Sequence, residues 1–152
     1  MPTITIVNDF FEDILNGVHD LSSDSIRIAL SNTAPASESS NPTASGNGVL
    51  ANVTQISYTN YADNLTTDRV LQSVTVTETG GTATLDCADF TISASGGALA
   101  SFRYIYIYND TPTSPADAIL AVVDEESTIT LADGSDYAVT INASGILSIA
   151  SA

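Results

Sequence analysis

Few side chains in this sequence carry nucleophilic or acid–base chemistry. His19 and Cys87 are each the only residue of their kind. A Cys–His pair becomes a nucleophile only when the two side chains touch and a third group orients the base. Nothing in their spacing demands contact. The simpler reading puts His19 in a surface turn after a short helix. Cys87, alternating with Leu85, reads as a small buried residue. Zinc needs three or four nitrogen or sulfur ligands, which one histidine and one cysteine cannot supply. Calcium takes oxygen ligands, and two groups qualify by type: Asp124, Glu125 and Glu126 in a row, and Asp133 and Asp136 around a Gly-Ser turn. Neither lies in an EF-hand loop, and turn chemistry accounts for Asp133-Gly134. Two of the 18 acidic residues could in principle form a glycosidase pair, but there is no tryptophan to build a sugar platform. No phosphate-binding glycine loop, dinucleotide fingerprint or nucleophile elbow occurs. The sequence nominates no catalytic, cofactor-binding or metal-binding residue, and the expectation is a protein that is not an enzyme.

One aromatic pattern remains. Tyr104, Tyr106 and Tyr108 alternate along a single segment. Exposed, they would suit a sugar or a protein partner, because each joins a rigid ring to a polar tip. Buried, they are a ladder on a central strand, and this is the favoured reading.

Charge narrows the partners. The chain has 18 acidic residues against Arg27, Arg69 and Arg103, no lysine, and a formal net charge of −15. Phosphate backbones and anionic membrane surfaces repel such a chain, so neither nucleic acid nor membrane is expected as a partner. Acidity also keeps an abundant protein soluble. Only 14% of residues are charged, so Ser, Thr, Ala and Asn must make much of the surface neutral but polar. A lone cysteine excludes an internal disulfide. The first residues show no basic, apolar signal pattern, and no apolar run approaches membrane-spanning length, so folding in a cytoplasm is expected.

The elements that position these groups are mostly strands. Residues 3–7 (TITIV) read as a strand. Asp9 and Glu12 form a capping-box pattern; Phe10, Phe11, Ile14 and Leu15 follow at helical spacing, and Gly17 ends a helix of about two turns. Residues 25–30 (SIRIAL) alternate as a half-buried strand. Residues 31–48 are rich in Ser, Asn, Pro and Gly and read as a long loop. Residues 49–58 form a weaker strand region. Residues 70–78 and 82–87 flank a Thr-Gly-Gly hairpin turn. A short strand follows at 90–93, with a glycine turn at 95–98. In 102–108 (FRYIYIY), Phe102 and the three tyrosines fall on one face and Arg103, Ile105 and Ile107 on the other. Both faces are bulky, which marks a central strand in which Arg103 needs a polar partner. Residues 109–115 read as a turn-rich loop and 118–124 as an apolar strand. The segments 127–131, 137–142 and 146–150 alternate between Asp-Gly and Ser-Gly turns.

This pattern predicts one mainly all-β domain spanning 1–152. It is an antiparallel β-sandwich, jelly-roll-like, or barrel of about nine to eleven short strands with one short N-terminal helix. The N-terminal strand, residues 1–8, and the loop at 31–48 are its candidate contact arms.

Several stretches resemble small virion proteins of tailed bacteriophages. They are NDFFEDILNGVHDLSSDSIRIALSNTAP from Asn8, GVLANVTQISY from Gly48, RYIYIYNDTPTSPADAILAVVD from Arg103, and the closing GILSIA from Gly145. The resemblance implies a capsid decoration, or cement, protein. Such a protein, often a trimer, sits on the outside of the head and clamps neighbouring copies of the major capsid protein. It would be made in the host bacterial cytoplasm and end on the virion surface. A phage tail or tail-tip component and a carbohydrate-binding module using the tyrosines are the alternatives; a two-carboxylate hydrolase is the weakest.

Overall fold

The computed structural model describes residues 2–35 and 48–151. Most of the loop expected at 31–48 lies outside the described residues. The elements in chain order are β1 (Thr3–Ile6), α1 (Asn8–Leu15), β2 (Ile26–Ser31), β3 (Tyr61–Asp63), β4 (Thr75–Thr79), β5 (Thr82–Asp86), β6 (Phe90–Ala94), β7 (Phe102–Thr113), β8 (Ala116–Ile129), β9 (Asp136–Val139) and β10 (Leu147–Ala150). Strand orders are β1-β8-β7-β2, β10-β5-β4 and β3-β6-β9. Neighbours in all three sheets are antiparallel. The chain is therefore all-β and sandwich-like, with a single short α-helix among the described residues.

The four-stranded sheet is covered on both faces. On its inner face Ile26, Ile28, Ile105, Ile107 and Leu120 join one core with Leu85, Phe90, Ile92, Val139 and Leu147 of the smaller sheets. On its outer face Tyr104, Tyr106 and Tyr108 pack with Val7, Ala29, Ile119 and Val122. This double cover explains why β7 and β8 read as bulky or apolar on both faces. It also corrects the expectation for β2, which is buried on both faces instead of half-buried.

Local chemistry accounts for the ends of α1. Its C-terminus is closed by Gly17 at φ 71°, with Gly17 N–H donating to Ile14 and Val18 N–H to Asp13. The expected N-terminal capping box does not form: the N-cap is Val7, without a side-chain cap bond. Asp9 is instead inside the first turn, buried, and accepts from Gly48 N–H at 3.2 Å. The hairpin of β4 and β5 has Thr79 opposite Thr82 and Gly80 and Gly81 at its tip, with φ of 61° and 86°. Those left-handed values are why the turn needs two glycines.

Three segments depart from the alternation. Residues 49–58 form no strand; a short 3-10 turn, Leu50–Asn52, stands there. The segment is tied to β2 by Ile56 N–H to Leu30 O, by Ser31 Oγ to Thr54 O, and by Leu30 N–H to the Tyr58 hydroxyl. These bonds replace a strand ladder. Residues 109–113, expected in a loop, continue β7, and the turn shrinks to Ser114 and Pro115 before β8. Finally, Phe102 lies opposite Ile129 while Tyr104 lies opposite Asp124, so β8 carries an irregularity between Asp124 and Ile129. Phe102 therefore leaves the tyrosine face and joins the inner core, edge-on to Tyr137 with centroids 6.0 Å apart.

Candidate functional site

His19 and Cys87 do not form a pair. Cys87 is buried and its Sγ donates to Ala88 O. Burial, with Asp86 and Asp89 nearby, pushes its thiol up to about 12, so the nucleophilic thiolate is disfavoured. His19 lies under α1 against Phe10, with ring centroids 5.5 Å apart. Its Nδ1 is 3.0 Å from the Asn109 amide nitrogen and its Nε2 is 3.9 Å from Asp13. It is a buried side chain, not the surface residue that the sequence suggested. Burial lowers its pKa although Asp24 opposes this, and burial with Asp9 and Glu12 raises that of Asp13. Asn109, wholly buried, is the hub: its amide also donates to Asp24 at 2.6 Å, and its carbonyl oxygen accepts from Thr111 N–H. No local pattern signals this cluster, because its members come from α1, the loop before β2, and β7.

The acidic groups singled out by type are dispersed among structural bonds. Asp124 holds Arg103 bidentately, at 2.7 and 2.9 Å, which supplies the partner expected for Arg103 and keeps the Asp124 carboxyl below the usual range. Glu125 turns inward and accepts from the Tyr137 hydroxyl at 2.5 Å. Glu126 accepts from Thr3 Oγ1. Asp133 accepts from Gly96 N–H at 2.8 Å, tying its turn to the glycine turn that follows β6. Among the described residues, no three of His, Cys, Asp and Glu gather as a metal-binding group.

The arginines are likewise engaged. Arg27 pairs with Asp110 at 2.8 Å. Arg69 donates from Nε to Ile28 O and lies 4.1 Å over the Tyr58 ring. Tyr104, Tyr106 and Tyr108 are 7%, 1% and 3% exposed, so the ladder reading holds and the stripe offers no binding platform.

Among the described residues, a cleft of about 380 Å³ lies at the margin of the sandwich, and a smaller one of about 240 Å³ lies at Tyr61 to Arg69. Pro2 and Ile4 line the larger cleft from β1 and the residue before it, Val123 and Glu125 from β8, and Tyr137 to Asn142 from β9 and its continuation. Both flanking strands are sheet edges: among the described residues, β1 pairs only with β8 and β9 only with β6. The N-terminal strand is thus no free arm. It is zipped to β8 from Thr3 to Ile6, and its contact potential lies along its outer edge. The register also settles which groups that edge presents. Val7 N–H donates to Leu120 O. Because antiparallel pairs alternate, Thr5 and Thr3 also face β8, while Ile4 and Ile6 turn their N–H and C=O groups outward.

Among the described residues, no helix is long and apolar enough to cross a membrane. Fold and geometry define an all-β, sandwich-like protein in which Cys87, Asp124, Glu125, Glu126 and Asp133 each make an internal hydrogen bond. Set against protein-family models, curated proteins and solved structures, the chain matches none of them.

Proposed function

We propose that this chain is a structural virion protein that binds the outer surface of a bacteriophage capsid and stabilises it. The observation that carries the reading is the edge of β1. It is an exposed, ordered edge strand beside an open cleft, a surface of the kind through which β proteins hold other proteins. Three further features agree with it. The sequence resemblance runs from the α1 region to β10. Net charge of −15 favours solubility at high copy number and weakens contact with DNA. Exposed β4, with Thr75, Thr77 and Thr79, adds a largely neutral face on which copies could pack as a trimer.

Bound copies are counted against the major capsid protein in purified particles, and particles with and without the protein are heated. A fixed icosahedral ratio, with earlier rupture of bare heads, supports decoration. A handful of copies per particle moves the protein to the tail, and absence from particles overturns the virion reading. The carbohydrate-binding alternative loses its proposed platform with the burial of Tyr104, Tyr106 and Tyr108.

A further inference from the structure

The cleft between β1 and β9 joins three properties. Its walls carry apolar side chains among polar ones: Ile4 is 39% exposed and pairs with Val123, and Val139 and Ile141 line the β9 side. Its edge has hydrogen-bonding groups to offer, since Ile4 and Ile6 direct theirs away from β8. Its one charged lining residue is a carboxylate, Glu125, already holding Tyr137.

We propose that this cleft is a docking groove for an extended, lysine-bearing segment of another protein. The segment adds as a strand along β1, with alternate apolar side chains entering between Ile4, Val123 and Val139. Strand addition supplies the backbone bonds that the edge lacks, and the alternating pockets select the side chains. Charge selects the partner. A segment with lysine outside its apolar positions is drawn to a chain of net charge −15. A second copy cannot provide such a segment. The chain has no lysine, and Arg27, Arg69 and Arg103 are held by Asp110, by Ile28 O with Tyr58, and by Asp124.

The test uses a short synthetic peptide of alternating lysine and valine, titrated into the full chain and followed by amide NMR shifts. Saturable shifts confined to β1, β9 and residues 140–142 are expected. Ile4→Pro removes an outward N–H without touching the β1–β8 ladder, so the fold is kept and binding weakens about tenfold or more. Ile4→Ala keeps the N–H and loses only the side chain, and its affinity should fall between the two. A glutamate–valine peptide should not bind. Four outcomes would overturn the proposal. One is shifts spread over the whole acidic surface, and another is equal binding of the glutamate peptide. A third is Ile4→Pro binding as tightly as the parent chain. The last is concentration-dependent self-association that Ile4→Pro abolishes, which would assign the groove to a second copy. The titration needs no capsid, so its failure leaves the decoration reading standing, and failure of head binding leaves the groove standing.

Discussion

The Tyr137 hydroxyl donates to the Glu125 carboxylate at 2.5 Å, and this bond ties β9 of one sheet to β8 of another at the floor of the cleft. Burial, reinforced by the Glu125 carboxylate, pushes the Tyr137 phenol well above its usual value, so it stays a hydroxyl donor. Tyr137→Phe leaves a carboxylate that is 8% exposed without its donor. The expected loss is about 1–3 kcal/mol, read as a lower urea midpoint at unchanged slope. In a double-mutant cycle with Glu125→Gln the two losses should not add.

His19 gives the fold an acid-sensitive point. Its folded pKa is depressed, so the native state holds it neutral. Above about pH 6.5 both folded and unfolded chains are neutral there, and its contribution is complete. As pH falls below that value the unfolded chain takes the proton first, and stability is lost. His19→Gln should flatten the fall in melting temperature between about pH 7 and 5. An unchanged slope would refute the assignment.

Asp13 runs the other way. Its pKa is raised, so its contribution is complete below the ordinary aspartate value and is lost as pH rises through the folded one. Asp13→Asn is therefore expected to stabilise the chain at neutral pH, by an amount that vanishes in acid, measured as urea unfolding at the two pH values.

The tyrosine face is structural, and its mutation should behave so. Tyr106 is 1% exposed between Ala29 and Val122 in register. Tyr106→Ala should cost about 3–5 kcal/mol, a large share of a domain's stability. Thermal unfolding checks it; a well-folded Tyr106→Ala protein would show that the outer face carries little of the core.

Two turn glycines separate strain from crowding. Gly134 and Gly145 both have positive φ, 75° and 78°. A Cβ at Gly134 meets nothing within 4 Å, whereas at Gly145 it would collide with Leu85 O and Thr84 Cγ2. Gly134→Ala should cost about 1–2 kcal/mol from backbone strain alone. Gly145→Ala should cost distinctly more, because β5 must move away from the turn before β10.

Removing residues 2–7 should do more than trim a contact arm. Val7 is fully buried in the tyrosine-side core, and β1 covers β8 from Ala121 to Asp124. Truncation leaves β8 as a bare apolar edge, so loss of stability and aggregation are expected alongside any loss of binding, by light scattering and calorimetry. Ile4→Pro is for this reason the cleaner probe of the edge.

What could be read in the residues was whatever depends on neighbours in the chain. Bulky residues on both faces of FRYIYIY marked β7 as a central strand, the apolar run AILAVVD marked β8 as a strand, Gly80-Gly81 marked a hairpin, and Gly17 ended a helix, because side-chain period and left-handed φ are local properties. Where a segment's bonds come from far away, local reading failed. Residues 49–58 looked like a strand but are held to β2 by one backbone bond and two side-chain bonds, and 109–113 looked like a loop but gain a ladder from β8. The site depends still more on distance. Only register decides that Glu125 turns inward to Tyr137, that Phe102 crosses to the inner core, and that Ile4 presents its backbone outward. A slip of one residue would reverse each of these, and register is set by which apolar faces can be buried together, which no local pattern contains.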